Sequence, residues 1–78
     1  MRNRMTHNGQ KYQRTLVEKT RKGMHVVAYD AKGLFRFEGD LTSEPRCGPK
    51  HVWLEIETGH GEVRRRMDLG ENVWARDV

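Results

Sequence analysis

Apolar and polar residues alternate most clearly along residues 24–41, "MHVVAYDAKGLFRFEGDL". Phe35, Phe37, Gly39 and Leu41 fall on one side by strict period two, the mark of a half-buried strand. Asp30 and Gly33 occupy the first and last positions of a type I turn, and Gly33 can take the left-handed conformation that closes a three-residue hairpin loop. The pattern predicts a hairpin in which Asp30 opposes Leu34, Tyr29 opposes Phe35 and Val27 opposes Phe37. Tyr29, Val27, Phe35 and Phe37 would then share one apolar face, with Arg36 and Glu38 pointing away.

A second alternation fills residues 51–68, "HVWLEIETGHGEVRRRMD". Val52, Leu54 and Ile56 alternate with His51, Trp53, Glu55 and Glu57. A turn at Gly59-His60, or one slightly wider, pairs Ile56 with Val63 and Val52 with Met67. Parity then divides the three consecutive arginines. Arg64 opposes Glu55, Arg66 opposes Trp53 and His51 opposes Asp68, all on the face away from Ile56. Glu55–Arg64 is expected to be a cross-strand ion pair worth ~0.2–1 kcal/mol. Arg66 is expected over Trp53 as a cation–π pair worth ~0.5–1 kcal/mol. Arg65 faces inward beside Val63 and Met67, opposite Leu54. Either its stem follows the core rim or a bulge re-aims it. Glu57 and Glu62 oppose each other, a like-charge pair that weakens the hairpin end.

The other segments carry less pattern. "MRNRMTHNGQK" (1–11) is polar and aperiodic, which predicts a flexible basic arm. Two readings fit "YQRTLVEKTRKG" (12–23). Thr15 and Glu18 have capping-box spacing for a short helix, whereas the β-branched Thr15, Val17 and Thr20 favour a strand. "TSEPRCGPK" (42–50), with two prolines and a glycine, predicts a loop without regular structure. Residues 69–78 predict a 3₁₀-like turn followed by a short closing strand at Val73–Ala75. The expected fold is mainly β: one domain over residues 12–78, a small barrel of about five antiparallel strands, with a partly disordered arm before it.

The order over residues 24–78 (two hairpins, a one-turn connection, a closing strand) resembles small SH3-like and Sm-like β-barrels. "HVWLEIETGHGEVRRRMDL" is similar to the second half of the small Sm-like proteins that inhibit the termination factor Rho. The resemblance implies a barrel, and barrels of this kind bind peptides, RNA, DNA or RNA polymerase. It supplies no functional residues here, and fold alone does not fix function. In size and composition the chain is also similar to bacteriophage early proteins that inhibit or redirect host RNA polymerase.

Composition limits the chemistry. Seventy-eight residues, 35% hydrophobic and 33% charged, can build one small core. The only cysteine is Cys47, so no intrachain disulfide forms and a reducing compartment is expected. No apolar run approaches the ~20 residues of a membrane span, and no signal-peptide core follows the N-terminus, so a cytoplasmic protein is expected. Cys47, His51 and His60 lack the paired short spacing of a zinc site. No triad, carboxylate dyad or phosphate-binding glycine loop is legible. The chain therefore reads as a non-enzyme without metal or cofactor.

Charge points to the partner. The net charge is +4, but residues 1–22 hold seven Lys/Arg against the single acid Glu18. Such asymmetry suits a polyanion or an acidic protein surface. Arg2, Arg4, Lys11, Arg14, Lys19, Arg21 and Lys22 would contact phosphate, with Tyr12 interleaved to stack on bases. Arg65, Trp53 and Arg66 join them as candidate binding residues. Residues 23–78 carry more acid than base, which argues against the barrel itself being a broad phosphate platform. The expectation is a regulator of a nucleic-acid-handling machine, transcription first, acting through nucleic acid or an acidic protein surface. The alternative is a protein-binding inhibitor or adaptor that binds RNA polymerase without touching nucleic acid.

Overall fold

The computed structural model describes residues 3–77. Eight strands form in chain order: β1 (Arg4–His7), β2 (Gln10–Leu16), β3 (His25–Tyr29), β4 (Phe35–Leu41), β5 (Arg46–Cys47), β6 (His51–Thr58), β7 (Gly61–Asp68) and β8 (Asn72–Arg76). A 3₁₀ turn, Val17–Lys19, follows β2. Every pairing is antiparallel, in the order β1-β2-β8-β3-β4-β6-β5, with β7 added to β6. The mainly β character follows the alternation in the sequence. The strand number exceeds the expected five, and the sheet is not closed.

One additional strand, β1, lies in the segment read as an arm, and β2 runs from the end of that segment into residues 12–16. Asn8 (φ 51°) and Gly9 (φ 76°) both take positive φ between the paired His7 and Gln10. A two-residue hairpin turn of this twist needs that conformation at both central positions, and Asn-Gly is the pair that adopts it most readily. β1 and β2 thus form a hairpin, and β2 continues onto β8 through Gln13–Leu16. Of the two readings of residues 12–23, the strand holds as far as Leu16; Val17–Lys19 form a 3₁₀ turn with Thr20 at its end, so Val17 and Thr20 are not strand residues.

β8 is paired on both sides, by β2 and by His25–Val27 of β3. Only Leu69–Glu71 separates β7 from β8, yet β8 has no edge left to offer β7. This is why the sheet remains open along β7. The free edge carries Arg64 and Arg66, and charged side chains on an edge discourage pairing with another chain.

The loop of the first hairpin forms as the sequence predicts. Gly33 (φ 82°) donates to the Asp30 carbonyl at 3.0 Å, and Asp30 donates to the Leu34 carbonyl at 2.8 Å. The register beyond it differs. Tyr29 pairs with Phe35, but Ala28 pairs with Phe37 and Val27 with Glu38. Arg36 is the extra residue of a bulge, so the expected Val27–Phe37 pair does not form. Val26 and Ala28 join Phe37 and Leu41 in the core instead, while Phe35 is exposed. The second hairpin has the register read from its sequence at every pair. The 42–50 segment is not wholly irregular: Arg46 and Cys47 pair with Trp53 and Val52 as β5. The connection Leu69–Gly70 is a turn rather than 3₁₀.

The main core gathers Val17, Val26, Ala28, Phe37, Leu41, Val52, Leu54, Ile56, Met67, Val73 and Ala75. Tyr12 and Val27 are buried outside it. β4 reaches β6 only at Asp40 and Leu41, immediately after Gly39. A Cβ on Gly39 would collide with the Glu57 carbonyl oxygen and with Cγ2 of Ile56. The strand crossing therefore requires glycine.

Gly39→Ala is expected to cost ~1–3 kcal/mol in urea denaturation, the usual range for overpacking. Gly59→Ala, where a Cβ meets nothing within 4 Å, is the control and should stay within about 0.5 kcal/mol of wild type. Equal stability of the two variants would contradict the crossing.

Candidate nucleic-acid interface

The outer face of β5, β6 and β7 presents one large aromatic ring among arginines. Trp53, on β6, is 41% exposed although the residues before and after it, Val52 and Leu54, are fully buried. Alternation forces this, since the strand's other face forms the core. The residue paired with Trp53 on each neighbouring strand is an arginine: Arg46 on β5 and Arg66 on β7. The Arg66 guanidinium carbon lies 5.7 Å from the Trp53 ring centroid, the expected cation–π contact. Arg46, Trp53, Glu55 and Arg64 line a shallow depression of about 180 Å³. Glu55 and Arg64 pair in register but do not come within 4 Å as an ion pair. Arg64 thus remains available on the same face.

The other predicted residues fall into separate places. Arg4, Lys11 and Arg14 are exposed on the β1–β2 hairpin; Lys19, Arg21 and Lys22 are exposed around and after the 3₁₀ turn. Arg2 lies outside the described residues. Tyr12 is only 2% exposed, so its ring cannot stack on a base as expected. It packs against the rings of His7 and His25 at 5.9 and 6.0 Å, and Arg76 Nε donates to its hydroxyl at 3.4 Å. Arg65 is exposed at a groove of about 690 Å³ between β4 and the distal part of the β6–β7 hairpin, beside Phe35 and Val63. Its Nη1 donates to the Arg64 carbonyl at 3.0 Å. Parity holds it on the opposite face from Trp53. The structure therefore brings together Trp53, Arg66, Arg64 and Arg46, and leaves Arg65 out. Arg46 was hidden by its place between Pro45 and Gly48, where no alternation announces a strand.

Most carboxylates are engaged within the fold. Asp30 Oδ1 accepts the Lys32 and Leu34 amides, each at 2.9 Å. Glu18 accepts the Gly70 amide at 3.1 Å, Glu44 the Lys22 amide at 3.3 Å, and Glu71 the Asp68 amide at 2.7 Å. Asp40 meets Nδ1 of His25 at 2.7 Å. Glu38 meets Nε2 of His25 at 2.9 Å and Nε2 of His7 at 3.1 Å, which ties the β1–β2 hairpin to β4. Asp68 lies 3.2 Å from His51 Nδ1, which has no hydrogen-bond geometry and is buried without a partner. Among the described residues, no group of three or more His, Cys, Asp and Glu is placed to hold a metal ion.

The cations differ. Among the described residues, Arg36 is the one lysine or arginine within 4 Å of a carboxylate, at 3.7 Å from Glu71. On the outer face of β6 and β7, Glu55, Glu57, Glu62 and Asp68 share the parity of Trp53, Arg64 and Arg66, so arginines and carboxylates are interspersed there.

Burial opposes ionisation of Glu38, but hydrogen bonds and charge from His25 and His7 outweigh it and hold its carboxyl below the ordinary value. With the folded value below the unfolded one, its charged form stabilises the fold at neutral pH. That contribution is lost as pH falls through the depressed value. Glu38→Gln is expected to lower the urea midpoint at neutral pH, and the gap from wild type should narrow as pH falls from about 6 towards about 3. A gap independent of pH would contradict the clasp.

Searches of family models, curated proteins and solved structures give no match to this chain.

Proposed function

We propose that the protein is a small, non-enzymatic regulator of a nucleic-acid-handling machine, transcription first, and that it contacts nucleic acid directly. One observation carries this reading: among the described residues, every lysine and arginine except Arg36 lies beyond 4 Å of any carboxylate, and those of the β1–β2 hairpin together with Arg46, Arg64 and Arg66 are exposed. Unneutralised cations on a small sheet attract polyanions, and each phosphate they meet releases counterions. Two sets of exposed cations supply the contacts, Arg4, Lys11 and Arg14 on the β1–β2 hairpin and Arg46, Arg64 and Arg66 on the β5–β7 face.

The contacts are to backbone rather than to base edges in a groove. Among the described residues there is no α-helix to enter a major groove. Arginine and lysine on an open sheet position a nucleic acid without specifying its sequence. No described helix is long and apolar enough to cross a membrane. The acidic protein surface remains the competing partner, and salt dependence separates it from the nucleic acid.

Binding to a mixed-sequence oligonucleotide should be measurable at ~50 mM salt and weaken at least about tenfold by ~200 mM. Replacing Arg46, Arg64 and Arg66 together by glutamine should make the log–log salt slope shallower by about two to three. Absence of binding at low salt would overturn direct nucleic-acid contact and favour the acidic protein surface.

A further inference from the structure

We infer that Trp53 is a stacking platform for an unpaired base, so that the β5–β7 face binds single-stranded nucleic acid in preference to duplex. This inference rests on the reading of the exposed cations as a nucleic-acid contact, and it names the form of nucleic acid they meet.

Three observations carry it. First, Trp53 is 41% exposed in the middle of the eight-residue strand β6. It lies within the sheet, at neither a terminus nor a loop tip, so the strand holds its backbone in place. Exposing so large an apolar ring forgoes the stabilisation that burial gives elsewhere. Second, its cross-strand partners are Arg46 and Arg66, where apolar neighbours would have covered the ring. Arg66 lies over the ring at 5.7 Å, a contact that orients the indole. Third, Arg64 stands one rung further along without the ion pair that its register with Glu55 would permit.

This arrangement matches the repeating unit of a single strand. Each internal nucleotide carries a phosphate on either side of its base. A ring flanked on both neighbouring strands by guanidinium groups can stack the base while an arginine on each side meets a phosphate. The guanidinium fork suits phosphate geometry better than an ammonium does. In a duplex the faces of internal bases are already stacked on their neighbours, so Trp53 would have no partner and only the phosphate contacts would remain. Stacking on an aromatic side chain also tolerates every base, in keeping with a face that lacks groove-reading geometry.

The other exposed aromatic lacks this setting. Phe35 is 58% exposed, but it stands edge-on to Tyr29 at 6.1 Å beside the groove, on a different part of the sheet.

The test uses the full chain carrying Trp74→Phe, so that Trp53 is the only tryptophan. Single-stranded DNA and single-stranded RNA of about 12 nucleotides, and the duplex of the same DNA, are titrated at fixed low salt. The single strands should bind about tenfold or more tighter than the duplex and quench Trp53 fluorescence. Comparison of the DNA and RNA arms decides which backbone is preferred. In the same background, Trp53→Ala should weaken single-strand binding about tenfold while leaving the salt slope unchanged, and Trp53→Phe should restore most of it. Duplex bound as tightly as single strand, or Trp53→Ala binding like its parent, would overturn the stacking platform while leaving the nucleic-acid reading in place. Failure of every oligonucleotide to bind would overturn both.

Discussion

The pairing of β2 with β8 at Gln13–Leu16 decides which edges of this sheet stay open. β8 already has β3 on one side. Once β2 occupies the other, β7 cannot return to β8, although only Leu69–Glu71 connects them. The β6–β7 hairpin then projects with a free outer edge, and its arginines border solvent. The Asn8-Gly9 turn supports this arrangement by giving β2 its other partner, β1. A change that unpairs β2 would therefore release the edge of β8 as well as the basic hairpin.

Electrostatics follows from the same geometry. An open sheet with short connections leaves many amides and imidazoles that need acceptors, and buried or partly buried polar groups are costly without partners. Glu18, Asp30, Glu44 and Glu71 serve amides, and Glu38 and Asp40 serve His25 and His7. The acids thus close loops and clasp the N-terminal hairpin to β4. On the outer face of β5–β7, Arg46, Arg64 and Arg66 stand among Glu55, Glu57, Glu62 and Asp68.

The sequence made the second hairpin legible to the residue, because alternation along β6 and the short turn at Gly59-His60 bring Val63 and Met67 opposite Ile56 and Val52. The first hairpin was legible in its turn and not in its pairing. Phe35, Phe37, Gly39 and Leu41 alternate whether or not Arg36 is an extra residue, so period two cannot reveal the bulge. The β1–β2 hairpin was missed because its flanking strands are polar and aperiodic. Asn8-Gly9 was the available signal, and it is a strong one even without apolar neighbours. Of the candidate site, Trp53 and Arg66 were legible from parity. Arg46 was not, since its position depends on a two-residue strand between Pro45 and Gly48. Tyr12 was misjudged for a similar reason: with no hairpin in view, nothing placed it under His7 and Arg76.

The central claim is that the outer face of β5, β6 and β7 is where a nucleic acid is held. Backbone and indole N–H chemical shifts of isotope-labelled protein, followed while a single-stranded oligonucleotide is added at low salt, test this most directly. The account predicts shifts concentrated at Arg46, Arg64, Arg66 and the Trp53 indole, with smaller ones on β1 and β2. Shifts confined to the groove around Phe35, Val63 and Arg65, or a β5–β7 face that does not respond at saturation, would contradict it.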